Sequence, residues 1–133
     1  MRYYPICLDI KKKSCLVVGG GRVALRKVDT LLTCGAWVSV VAQVCCHELQ
    51  TLAADGRICL KEKPYDNGDL DGVFMVIGAT DDHPVNMQVS RDANTRKIIC
   101  NIADYPAACD FILPSIVCRK DLMISCLYYL MFI

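Results

Sequence analysis

The sequence predicts an α/β domain, a parallel sheet with helices on both faces. Two observations predict it. Continuous apolar runs of strand length alternate with helix-length stretches along most of the chain. That alternation favours parallel strands joined by right-handed crossovers. Three consecutive glycines, Gly19, Gly20 and Gly21, lie directly after the apolar run Cys15-Leu16-Val17-Val18 and directly before a helix-like stretch. Read as Gly19-x-Gly21-x-x-Ala24, they match the G-x-G-x-x-G/A fingerprint of a dinucleotide site, which makes the expected fold Rossmann-like.

Each element has its own local reason. A short strand is expected over Ile6 to Leu8, followed by the polar turn Lys11-Lys12-Lys13. Cys15 to Val18 is continuous and apolar, as a strand covered on both faces should be. From Arg22 to Thr33, Val23, Ala24, Val28, Leu31 and Leu32 fall on one helical face, and Gly35 suits the C-terminal cap. Trp37 to Ala42 reads as a second buried strand, Cys46 to Ala54 as a helix closed by Asp55-Gly56, and Ile58 to Leu60 as a third strand. Pro64-Tyr65-Asp66-Asn67-Gly68 is a turn-rich connection. Val73 to Ile77 is another apolar strand, ending at Gly78-Ala79-Thr80. Asp81-Asp82-His83-Pro84 opens a helix, with proline suited to its first turn. Val85, Met87, Val89 and Ala93 continue that helix, and Ile98 to Ile102 is the next strand. Phe111 to Leu113 and Ser115 to Val117 read as short strand-like pieces parted by Pro114. Leu122 to Ile133 is almost wholly apolar and has the profile of an aggregation-prone strand.

Composition narrows the functional classes. A chain of 133 residues can bury a real core. Although 54% of its residues are hydrophobic, no uninterrupted apolar run reaches the roughly 18 residues needed to span a bilayer. The opening Met1-Arg2-Tyr3-Tyr4-Pro5 does not form a signal peptide, so a cytoplasmic protein is the default expectation. A net charge of +1 argues against a general pull toward nucleic acid. The ten cysteines show no Cys-x-x-Cys spacing. Cys15, Cys59 and Cys100 are expected as small buried hydrophobes in a reducing compartment. Cys45-Cys46-His47 is the one local cluster of metal-ligating type, and adjacent cysteines do not readily make a tetrahedral site, so no metal site is expected.

In an open α/β sheet, ligands sit outside the carboxyl ends of the strands. Gly19, Gln43, Thr80 and Asp104 all fall at such ends. Gly19 permits the tight turn, Gly21 lets backbone come close to a pyrophosphate, and Ala24 lets the helix pack near the strand. The helix start offers free N–H groups to phosphates. Thr80 and Asp81 are candidates for the nicotinamide side, while Asp81 or Asp82 is also expected to cap the following helix. His83 is expected as an exposed first-turn residue. Asp104 has two readings: a turn residue before Pro106 held by an Asx-type hydrogen bond, or a carboxylate held partly out of water and poised for proton transfer. The acid expected about 20 residues after the glycines to hold the ribose hydroxyls is missing. Gln43 stands there instead, and no arginine is present for a 2′-phosphate, which favours NAD over NADP.

Taken together, several segments resemble the N-terminal module of siroheme synthase and its single-module relatives, the precorrin-2 dehydrogenase family, some of whose members are also sirohydrochlorin ferrochelatases. They are Tyr4-Pro5-Ile6 with Leu8, Cys15 to Gly21 with Val23-Ala24 and Arg26-Lys27, Ala79-Thr80-Asp81-Asp82 with Val85-Asn86, Asn101-Ile102-Ala103-Asp104, and Phe111-Ile112-Leu113-Pro114-Ser115. The resemblance implies oxidation of precorrin-2 to sirohydrochlorin with NAD as hydride acceptor, and in bifunctional members insertion of Fe²⁺. It implies Asp104 as the acid–base residue. It implies a nucleotide site at Gly19, Gly20, Gly21, Arg22 and Val23, with Gln43 and Val44 at the end of the second strand. It also implies an NAD-binding domain over residues 1–110 and a dimerisation and substrate-cleft region from residue 111, with a homodimer as the family assembly.

After Leu122-Met123-Ile124 the pattern departs from the family, which continues with a Gly-Gly-containing turn and helices. Here Ser125-Cys126-Leu127 and a further apolar run stand instead, so the expectation is a region 111–133 truncated relative to the family. Two alternatives to a dehydrogenase remain on this reading: a non-catalytic nucleotide-binding fragment of the same fold, and an unrelated small Rossmann regulator.

Overall fold

A computed structural model describes residues 1–127. Five parallel strands form the central sheet: β1 (Ser14–Val18), β2 (Trp37–Val41), β3 (Cys59–Lys61), β4 (Met75–Gly78) and β5 (Ile99–Ile102), in the spatial order β3-β2-β1-β4-β5. Three helices connect them: α1 (Arg22–Thr33), α2 (His47–Ala54) and α3 (His83–Thr95). Short 3₁₀ turns at Asn67–Leu70 and Pro106–Ala108 complete the connections. This is the Rossmann-like α/β fold, with its strand order reversing between β1 and β4.

Two hydrophobic clusters explain the layering. Alternate residues of a strand point to opposite faces, and β1 is buried on both. Cys15 and Val17 join Ala24, Val28 and Leu31 of α1 and Leu49 of α2, whereas Leu16 and Val18 join Val89 and Ala93 of α3. Helices therefore cover both faces. α1 has no side-chain N-cap, no acidic residue in its first turn and no basic residue in its last. Its stability comes from its packed face, where full burial of a side chain such as Val28 contributes roughly 1.5–3 kcal/mol. Gly35, at φ +78°, turns the chain back toward β2.

Several local expectations are corrected. Ile6 to Leu8 forms no strand: both Ile6 and Leu8 are exposed, and neither sheet of the described residues includes this segment. Phe111 to Leu113 is also not a strand. Instead the Asp110 carboxylate accepts the Cys100 N–H at 2.9 Å, and the Phe111 carbonyl accepts from Asn101 Nδ2 at 3.0 Å, which fastens this segment along β5. Trp37 lies at the start of β2 with its side chain exposed. Cys15 and Cys100 are buried as expected, but Cys59 is exposed because β3 is the sheet's outer strand. The apolar C-terminal stretch begins as β7 (Leu122–Cys126), antiparallel to β6 (Ser115–Arg119). Every residue of this ribbon is exposed. The remainder of the stretch, residues 128–133, lies outside the described residues.

Candidate functional site

Because the five strands are parallel, the turns that follow them share one edge of the sheet, and the glycine turn stands at its switch point. Gly19 has φ +141°, and a Cβ there would lie 2.3 Å from the Ala79 carbonyl oxygen at the end of β4. A Cβ at Gly20 would lie 2.0 Å from the carbonyl oxygen of Val44, beyond β2. Backbone bonds draw the same strands together: Gly19 N–H to Val41 O at 2.9 Å, Ala79 N–H to Val18 O at 2.7 Å, and Cys46 N–H to Gly20 O at 2.8 Å. These two glycines are thus required by packing between strand ends.

Gly21 differs. It is exposed, its φ is −97°, and a Cβ there would meet none of the described residues within 4 Å. It is the N-cap of α1 and offers no side-chain cap. Leu25 N–H, bonded to Gly21 O at 3.0 Å, begins the intrahelical ladder. The N–H groups of Arg22, Val23 and Ala24 precede it, in the positions where a helix leaves its donors unsatisfied and its dipole favours an anion. Arg22 is exposed beside them and Val23 half-buried. Open space, uncapped donors and a cation fit the pyrophosphate of a dinucleotide.

Gln43 and Val44 follow β2, both exposed. The first acid after β2 is Glu48, in the first turn of α2. Its carboxyl lies below the ordinary range, held there chiefly by a hydrogen bond from its own backbone and another from Cys46, with Arg22 adding attraction.

Beyond β4, Asp82 accepts the Val85 N–H at 3.3 Å and is the cap of α3. Asp81 is exposed. Thr80 is half-buried, and its N–H, carbonyl and hydroxyl all bond to Asn86, one turn into α3. His83 is exposed as expected, yet its ring meets Tyr105 edge-on at 5.3 Å, joining the turns after β4 and β5.

Asp104 lies between Ile102 and that tyrosine. Its backbone is left-handed, φ +60°, a region aspartate tolerates better than most residues. The side chain is exposed, which corrects the expectation of a carboxylate held partly out of water. Among the described residues it makes neither a hydrogen bond nor an ion pair, so the Asx bond of the turn reading is absent as well. The turn is closed instead by Cys109. Its sulfur accepts the Ile102 N–H at 3.1 Å and lies 3.2 Å and 3.3 Å from the carbonyl oxygens of Ile102 and Tyr105, where the thiol can donate. Burial pushes that thiol's pKa up, which keeps its proton in place. Among the described residues no group of three or more metal-ligating side chains could hold an ion, and no helix is long and apolar enough to cross a membrane.

A dinucleotide-binding α/β domain is the class this fold and edge define. The profile of the family described as "Putative NAD(P)-binding" matches residues 6–115, and the chain belongs to that family. Among curated proteins, siroheme synthase of Pseudoalteromonas atlantica is 41% identical over 125 residues, which is 94% of this chain and 27% of that protein. Siroheme synthase of Nitrosococcus oceani is 42% identical, again over 94% of this chain and 27% of its own length. The chain therefore spans about a quarter of the curated relatives it matches. A solved structure of SirC, a precorrin-2 dehydrogenase, superposes with a TM-score of 0.80 at 32% identity, covering 92% of this chain and 60% of that one. The resemblance drawn from the sequence motifs and these comparisons agree.

Proposed function

We propose that this chain is an NAD-dependent dehydrogenase module of siroheme biosynthesis, converting precorrin-2 to sirohydrochlorin. The observation that carries the proposal is the open, uncapped start of α1 at the sheet's switch point, on the same edge as the Asp104 turn. The names of the relatives supply the substrate class.

In this reading Gly19 and Gly20 draw the strand ends together, and Gly21, Arg22 and Val23 receive the pyrophosphate. Gln43 and Val44 flank the adenosine half, while Thr80 and Asp81 flank the nicotinamide half. Gln43 offers a neutral amide to the ribose, and the lack of an arginine beside it favours NAD over NADP. When bound, the nicotinamide supplies a hydride acceptor. The oxidation removes a hydride and a proton from the macrocycle, and an Asp104 carboxylate oxygen takes the proton. The exposure of Asp104 leaves it free to meet a large substrate. With Fe²⁺ as a second substrate, the same carboxylate would take pyrrole protons during chelation.

Residues 1–110 are assigned to the nucleotide domain, and the segment from residue 111 to the start of a dimerisation and substrate-cleft region. The exposed apolar faces of β6 and β7 support that assignment, since they are suited to cover by a second copy. We place the module in the cytoplasm. The test is sirohydrochlorin absorbance from purified protein given precorrin-2 and NAD⁺, then given Fe²⁺ to score siroheme. Product formation that disappears in Asp104→Ala supports the reading. Nucleotide binding without turnover would leave the chain a binding module.

A further inference from the structure

We infer that Asn86 is a positioning residue for the nicotinamide half of the cofactor, acting through Thr80. The inference rests on the nucleotide reading above. It starts from a cost. Asn86 is 6% exposed, and burying a side-chain amide is unfavourable unless it is bonded. Asparagine is also a poor residue inside a helix. All three of its side-chain hydrogen bonds go to one loop residue: Nδ2 donates to Thr80 O at 2.9 Å, and Oδ1 accepts the Thr80 hydroxyl at 2.8 Å and the Thr80 N–H at 3.3 Å. Helix α3 does not need Asn86 as its cap, because Asp82 fills that place with Pro84 in the first turn.

What the amide gains is a fixed Thr80. The residue before it, Ala79, is held independently: its N–H bonds Val18 O, and its carbonyl fills the space a Gly19 Cβ would take. Among the described residues Thr80 has no such backbone anchor of its own. Asn86 supplies one, with a further contact between the Thr80 hydroxyl and Asp82. A dinucleotide laid across the switch point places one half over β1 and β2 and the other over β4. Loosening Thr80 therefore disturbs the second half and spares the first.

The test compares NAD⁺ with ADP, which lacks the nicotinamide half, by calorimetric titration of the full chain. Asn86→Ala should weaken NAD⁺ roughly tenfold while ADP stays within about twofold, the size expected when a buried hydrogen-bonded anchor is lost. Asn86→Asp keeps the shape and both acceptor bonds but loses the donor to Thr80 O. Its second oxygen then opposes the Thr80 carbonyl inside a buried site, so it should weaken NAD⁺ by roughly tenfold or more while sparing ADP, and it decides the matter alone if Asn86→Ala does not fold. Tyr65→Phe, which removes the bond from Tyr65 to Asp92, serves as a destabilised comparator and should leave the NAD⁺-to-ADP ratio unchanged. Equal loss of both ligands, unchanged NAD⁺ affinity in a folded variant, or a shifted ratio in Tyr65→Phe would each overturn the inference. A wild-type chain that binds neither ligand overturns the nucleotide reading itself.

Discussion

The turn after β1 and the turn after β5 share one edge of one sheet and are built in opposite ways. At the first, backbone packs on backbone: Gly19 and Gly20 leave no room for a side chain against the carbonyls of Ala79 and Val44. At the second, a side chain does the holding, since the Cys109 sulfur bonds both ends of the loop that carries Asp104. The contrast suits the two tasks proposed for these turns. A phosphate site needs donors at close range and tolerates no side chain in the way. A carboxylate that meets a large substrate has to stand free, so its support comes from behind.

Substitutions at the two turns should separate these tasks. The largest effect is expected at Asp104. Asp104→Asn should lower precorrin-2 turnover by about 10²–10⁴-fold, the range of lost acid–base catalysis, while NAD⁺ affinity measured by titration stays near wild type. Loss of NAD⁺ binding in that variant would mean that the turns are not separable. Next come the glycines. Gly20→Ala forces backbone to move and should cost about 3 kcal/mol in denaturant unfolding, as overpacking does. Gly21→Ala should unfold within about 0.5 kcal/mol of wild type yet bind NAD⁺ more weakly, because its methyl group enters the space assigned to pyrophosphate. Parallel behaviour of the two variants would break the distinction between packing glycine and ligand glycine.

Cys109→Ala should destabilise the chain by about 1 kcal/mol and reduce turnover without changing NAD⁺ affinity. Cys109→Ser, which retains a donor and an acceptor, should recover part of both losses. A last effect is alkaline. Burial raises the Cys15 thiol to about 11 and the Cys100 thiol to about 12, from 9.0 for an ordinary thiol. A raised folded-state pKa means that the unfolded chain releases these protons first. Their contribution is therefore complete below pH 9.0 and declines as pH rises through 11 to 12. Thermal midpoints should fall over that window, and less steeply in Cys100→Ala.

Much of the architecture was legible in the chain. The strands at Cys15 to Val18 and Val73 to Ile77 are continuous apolar runs, and burial on both faces leaves that mark whatever the neighbours are. The glycine turn was legible because a strand, three glycines and a helix follow one another directly. Ile6 to Leu8 misled, since an apolar triplet does not say whether a partner strand awaits it. Trp37 and Cys59 misled for a related reason: whether a strand residue is covered depends on the sheet order and the neighbouring segments. Glu48, the first acid after β2, carries no such local signal, because it lies in a helix rather than at the strand's end. Asn86 was noticed only as part of a motif, and its burial and its bonds to Thr80 had no local signal.

The sequence alone determined the α/β class, the order of the main elements and the location of the glycine turn. Those properties follow from periodicity and from glycine's missing side chain, which are local. The tertiary structure decided which glycines serve packing and which one stands open, that Asp104 is exposed with Cys109 behind it, and that Asn86 holds Thr80. Each of those depends on close approach between residues whose meeting only the finished sheet brings about.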